Sequence, residues 1–115
     1  MATLTVQTIS ESGKSASYAS ADGSGDVVDN NGKLFLHIKN GSGGSITTTI
    51  TAQTTSVDSG TYGTLTKADA SIAIGASGEA FIGPFHPLAF NDSSSQIEIT
   101  YSAVTSLTIA ALTLT

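Results

Sequence analysis

Lys33-Leu34-Phe35-Leu36-His37-Ile38-Lys39 decides the fold. Leu34, Leu36 and Ile38 fall on one side of an extended chain, and Phe35, His37 and Lys39 on the other. A period of two is the signature of a half-buried strand. Ser45 to Gln53 repeats the pattern, with Ile46, Thr48, Ile50 and Ala52 alternating with Ser45, Thr47, Thr49, Thr51 and Gln53. Ser71-Ile72-Ala73-Ile74 is a shorter case. Ile97, Ile99 and Tyr101 alternate with Gln96, Glu98 and Thr100. Leu4 and Val6 begin the pattern, and Leu107 and Ile109 resume it near the C-terminus. β-Branched residues dominate these windows, as a pleated surface prefers. No window carries a 3.6-residue stripe, so no helix longer than about three turns is expected.

Gly, Asn, Asp and Ser punctuate the runs at Asn30-Asn31-Gly32, Asn40 to Gly44, Asp58-Ser59-Gly60, Gly75 to Gly78 and Asn91 to Ser95. Asn40-Gly41-Ser42-Gly43-Gly44 reads as a hairpin loop, because Asn-Gly takes positive φ at little cost. The expectation is one all-β domain over residues 1–115. It would be a sandwich or jelly-roll of about seven to eight short antiparallel strands. Its core should hold Leu4, Val6, Leu34, Leu36, Ile38, Ile46, Ile50, Ile72, Ile74, Ile97, Ile99 and Ile109. Ser10 to Asp29 is mostly Ser, Ala, Gly and Asp. It reads as a long loop or arm with a weak strand around Ser17 to Ser20. Ile82 to Phe90 holds both prolines and reads as a crossing or edge segment whose aromatics cap the core.

Composition narrows function mainly by exclusion. The 115 residues include 17 Ser and 17 Thr, while only 11% are charged, against about 25% in an average domain. There is no Cys, hence no disulfide framework or thiolate chemistry. Net charge is −5, and the four basic residues are all Lys. A nucleic-acid or anionic-membrane surface needs the opposite balance. Met1 to Thr5 lacks a basic n-region and an apolar run, so no signal peptide is expected. The stretch Val104 to Leu114 is far too interrupted to span a bilayer.

Candidate chemistry is sparse. His37 is expected as an exposed or interface residue on the face opposite Leu36 and Ile38, and His86 as a loop residue. No G-x-S-x-G elbow accompanies either. Asp22 to Gly32 supplies three Asp and two Asn to a Gly-permitted turn. This is the best Ca²⁺ candidate, but its spacing matches no EF-hand and a solvated loop is the expectation. Gly41-Ser42-Gly43-Gly44 lacks the helix and Lys of a phosphate cradle. No catalytic residue, cofactor or metal is assigned.

The hydroxyl-rich, weakly charged surface suits a subunit packed against copies of itself or a scaffold, since hydroxyls desolvate more readily than Lys or Glu. Phe85, Leu88 and Phe90 exceed what one small core needs. At the C-terminus the alternation slips: Leu107 and Ile109 have one parity, Leu112 and Leu114 the other. Either a bulge intervenes near Ala110-Ala111, or Leu112 and Leu114 face a second surface, and the second surface is favoured. Phe85, Leu88, Phe90, Leu112 and Leu114 are therefore the candidate oligomer or capsid contacts.

Leu4 to Gln7, Phe35 to Gly41, Phe81-Ile82-Gly83-Pro84-Phe85, Phe90-Asn91-Asp92 and Ile97 to Ser106 come in an order that resembles small virion proteins of tailed bacteriophages. The resemblance spans most of the chain and is one of pattern. It implies a β-sandwich that decorates or cements the outer capsid, with the major capsid protein as partner. It also implies a homo-oligomer, a trimer suiting a capsid's local axes. Such proteins carry no catalytic residues to transfer. Head-completion or tail components, and a ligand- or host-surface-binding sandwich, are the alternatives.

Overall fold

A computed structural model describes residues 2–53, 56–58 and 60–114. The deciding stretch behaves as its period requires. Leu34, Leu36 and Ile38 have no exposed surface, whereas Phe35 is half-buried and Lys39 exposed. The strands are β1 (Ala2–Thr3), β2 (Val6–Ile9), β3 (Ala19–Ser20), β4 (Asp26–Asp29), β5 (Phe35–Asn40), β6 (Ile46–Ile50), β7 (Ser56–Asp58), β8 (Thr64–Thr66), β9 (Ala70–Ile74), β10 (Glu79–Ile82), β11 (Gln96–Tyr101) and β12 (Leu107–Leu114). A 3-10 turn covers Gly60–Tyr62, and the single-turn helix α1 covers Pro87–Phe90.

The strands form two facing sheets. The first has the order β1-β4-β11-β6-β9. The second runs β10-β5-β12, with β2 and β3 along the other side of β12. Eight strands, β3, β4, β5, β6 and β9 to β12, pair only antiparallel with one another. Numbered in chain order, they run 2-7-4-5 in one sheet and 1-8-3-6 in the other, the strand order of a jelly roll. The sandwich expectation therefore holds, with three additions. The N-terminal segment contributes β1, parallel to β4, and β2, parallel to β12, so the sheets are mixed rather than antiparallel throughout. A separate ribbon pairs β7 with β8.

Two local readings are corrected. Asn40 to Gly44 is not a hairpin, because β5 and β6 belong to different sheets and the loop carries the chain between them. Its geometry comes from a buried side chain. The Asn40 amide donates to the carbonyls of Gly44 (2.8 Å), Ile74 (2.9 Å) and Gly75 (3.2 Å), and its Oδ1 accepts from Ser42. Gly41 serves close approach: a Cβ there would lie 3.2 Å from the Ser106 carbonyl. Nor is Asp26 to Asp29 loop. It is β4, paired with β11, and it buries Val28 completely. Its flanking aspartates hid a strand whose first acid is itself buried.

The core lies between the sheets. Ten of the twelve expected core residues are buried, while Val6 and Ile72 pack against the core from partly exposed positions. Phe85 (2% exposed) and Phe90 (5%) close one end in an edge-to-face pair at 5.7 Å. Burying a ring of that size contributes about 1.5–3 kcal/mol. The crossing between Ile82 and Phe90 thus caps the core as expected. Asn30 ties it down by donating to the Phe85 carbonyl (3.0 Å) and to Asn91 (2.7 Å).

Candidate interaction surface

The outer side of the β10-β5-β12 sheet carries the richest side-chain constellation. Register places Glu79 opposite Lys39, Phe81 opposite His37, His37 opposite Ala110 and Phe35 opposite Leu112. His37 stacks on Phe81 with ring centroids 4.1 Å apart and planes 7° from parallel. The Tyr18 hydroxyl lies 2.6 Å from His37 Nδ1. Nδ1 therefore accepts when the imidazole is neutral with its proton on Nε2. That Nε2 lies 3.5 Å from Glu79 Oε1 and makes no hydrogen bond. Lys39 Nζ sits 4.1 Å above the Tyr18 ring, an exposed cation–π contact worth about 0.5–1 kcal/mol. Gln7 exchanges two hydrogen bonds with the Ser17 backbone. The 10–20 segment is thereby fastened across this face. His37, expected as an exposed or interface residue, does lie on the face opposite Leu36 and Ile38 but is only 7% exposed, with Tyr18 and Phe81 packed against its ring.

Beside this cluster lies a largely apolar groove of about 540 Å³, whose lining includes Lys33, Phe35, Phe81, Ile82, Pro84 and Leu114. Gly83 shapes it. Its φ is +137°, and a Cβ there would meet the Leu34 carbonyl at 2.7 Å. Only glycine lets the chain turn so close to β5.

The expected contact residues divide. Phe85 and Phe90 are core, so they offer nothing to a partner; the crossing needed both to close the sandwich. Leu88 is 79% exposed on α1. The ladder of β12 with β5 runs unbroken from Leu107–Asn40 to Leu112–Phe35, so there is no bulge at Ala110-Ala111. Leu107, Ile109 and Ala111 join the core cluster, and Leu112 and Leu114 face the opposite side. Leu112 is already buried within the chain (5% exposed), whereas Leu114 is 60% exposed.

The acids of the 22–29 segment diverge. Ser24 donates its N–H and then its hydroxyl to Asp22 Oδ1, holding the Asp22 carboxyl below its usual range. Asp26 is fully buried and accepts from the Tyr101 hydroxyl at 2.5 Å. Burial, and then that acidic neighbour, push the Tyr101 phenol well above its ordinary value. Asp29 accepts from Gln96. Among the described residues no three His, Asp or Glu side chains are grouped to hold one ion. His86 is the N-cap of α1, its Nδ1 accepting from Leu88 N–H at 3.2 Å.

The outer side of the other sheet differs in kind. Thr100, Thr49 and Ser71 form a row across β11, β6 and β9, and Thr47 and Ala73 form the next. None of β4, β6, β9 and β11 carries a lysine. The acids on this side are held by amides, Asp29 by Gln96 (3.1 Å) and Glu98 by Gln53 (2.6 Å).

Sequence reasoning missed the groove and the stacked rings. Phe35 sharing the outward parity of His37 was the available signal. Phe81 gave none, since its partner strand could not be read. Comparison of the chain with family models, curated proteins and solved structures finds no match.

Proposed function

We propose that this chain is a non-enzymatic structural protein of a phage virion, a decoration or cement subunit on the outer capsid surface with the major capsid protein as partner. The order of residue runs, which resembles that of small virion proteins of tailed bacteriophages, motivates the reading. The observation that carries it is the hydroxylated outer side of the β4-β11-β6-β9 sheet. Thr47, Thr49, Ser71, Ala73 and Thr100 make a surface of small side chains without a lysine. Such groups lose little on leaving water, and charge is depleted at interface centres. Seated across a boundary between capsomers, this face adds contact that internal pressure must break before the shell opens.

The test is co-sedimentation with expanded capsids of its own phage. A fixed ratio to the major capsid protein is expected, together with loss of binding when Thr49 and Thr100 are both replaced by Lys. Absence from purified virions overturns the reading. Saturable binding to a sugar or a host cell would favour a ligand-binding sandwich instead.

A further inference from the structure

The two facing sheets have their edges at β1, β9, β10 and β2. An open edge invites other chains, and folded proteins blunt it by shortness, charge, proline or cover. β1 is two residues long. Gln7 of β2 is clasped by the Ser17 main chain. β10 begins with the exposed Glu79 and runs out into Gly83-Pro84. β9 has none of these devices. Its residues, Ala70-Ser71-Ile72-Ala73-Ile74, include no charge and no proline.

The direction of its main-chain groups follows from the neighbouring ladders. Thr51 N–H donates to the Glu98 carbonyl (3.0 Å) and Ser102 N–H to the Thr47 carbonyl (2.9 Å). Thr47, Thr49 and Thr51 therefore turn their main-chain groups to β11, and Ile46, Thr48 and Ile50 turn theirs to β9. There they meet Ile74, Ile72 and Ala70. Ser71 and Ala73 point their N–H and C=O groups the other way, out of the sheet edge, with no partner among the described residues. Ile72, the core-facing residue between them, is only partly buried, with no strand of its sheet beyond it.

We propose that β9 is the contact with a second copy of the chain, the two strands lying antiparallel across a two-fold axis at Ile72. In that register Ser71 of each copy lies opposite Ala73 of the other, and the two exchange N–H and C=O bonds. Ala70 lies opposite Ile74, and Ile72 opposite Ile72, so apolar side chains stay on the inner side and small ones on the outer. A second copy is the occupant this edge selects because the edge is complementary to itself. Length and parity match, and the residues with outward main-chain groups meet one another, as an isologous contact requires. The flanking charges do not oppose it. Lys67, over the Phe90 ring, and Asp69, which accepts from Ala52 N–H, both precede β9. The antiparallel partner brings its uncharged Gly75-Ala76-Ser77 segment to that end. Glu79 belongs to the other sheet, opposite Lys39. The pairing uses the main chain of Ser71 and Ala73 and neither Thr49 nor Thr100, so it does not rest on the capsid reading.

Sedimentation equilibrium on the purified full chain, from micromolar to roughly 1 mM, tests it together with amide hydrogen exchange at low and high concentration. A monomer–dimer equilibrium is expected. The Ser71 and Ala73 amides should gain protection as the dimer forms, whereas the Ile72 amide, held by Thr48, is protected at every concentration. Ala73→Pro removes an N–H that faces solvent in the single chain, which an edge strand tolerates. It should weaken pairing at least about tenfold, because a donor is lost from each copy, with the far-UV dichroism unchanged. Should that variant fail to fold, the exchange pattern of the parent decides alone. Replacing Thr49 and Thr100 by Lys should leave pairing untouched even where it abolishes capsid binding. A monomer throughout the range, a trimer, or a dimer whose Ser71 and Ala73 amides exchange as fast as in the monomer would overturn the proposal.

Discussion

Replacing Tyr101 by Phe removes one hydroxyl that satisfies a fully buried carboxylate. Asp26 has no exposed surface, and its Oδ2 accepts from Tyr101 Oη at 2.5 Å and more weakly from Asp22 N–H at 3.3 Å. Its Oδ1 is buried with no partner. A hydrogen bond to a charged group contributes about 1.5–3 kcal/mol, and leaving the charge buried costs at the upper end of that range. We predict that Tyr101→Phe destabilises the domain by about 2–3 kcal/mol at neutral pH. At about 4 °C per kcal/mol for a chain of this size, thermal unfolding should fall by roughly 8–12 °C. Asp26→Asn keeps an acceptor for the hydroxyl and removes the buried charge, so it should stay within about 1 kcal/mol of the parent. The phenol also sets an alkaline limit. Its pKa is raised on folding, so the folded state keeps a proton that the unfolded chain gives up. That contribution is complete below the ordinary tyrosine value of 10.0 and is lost as pH climbs above it. Urea unfolding followed by circular dichroism between neutral pH and 11 measures both effects. A Tyr101→Phe variant within about 0.5 kcal/mol of the parent, with the same alkaline slope, would refute the reasoning.

Other substitutions probe single contacts. Asn40→Ala strips three carbonyls of one buried donor group and should cost about 3 kcal/mol. Asn40→Asp should be no better, since a carboxylate repels those carbonyls; urea midpoints decide both. Gly83→Ala drives a Cβ to 2.7 Å from the Leu34 carbonyl and 2.9 Å from Phe35 Cα, at a φ that side chains avoid. Backbone atoms yield little, so a loss of roughly 2–4 kcal/mol is expected, read as a lowered Tm. Leu112→Ala should cost about 2–3 kcal/mol and Leu114→Ala under about 0.5 kcal/mol, because one is buried and the other is not. Equal effects in chemical denaturation would contradict the burial of Leu112 beside an exposed Leu114.

The division between what was legible in the residues and what was not follows from what a period of two encodes. Alternation tells which side chains share a face, and it placed Leu36, Ile38, Ile46, Ile50, Ile97 and Ile99 inward without error. It does not tell which strand lies alongside. So Asn40-Gly41 read as a hairpin although β5 and β6 part company into opposite sheets, and the parallel partners of β1 and β2 left no local trace. Alternation also ranks residues by apolarity, which conceals a strand opened by an acid. Asp26 looked like loop because its partner, Tyr101, stands 75 positions away. The same limit governs the surfaces. The parity slip at Leu112 and Leu114 is a local fact and pointed to a second face. The groove is a joint product of residues near 33, 82 and 114, which meet only once the jelly roll closes. The threonine rows lie between these extremes. Each outward Thr of β6 was visible in its own strand, but the lysine-free plane exists only because β11 and β9 pair on either side of β6 with their hydroxyls in register. A sequence of this kind discloses its core strand by strand. Its interaction surfaces are properties of strand order, and a jelly roll sets that order through pairings between residues far apart in the chain.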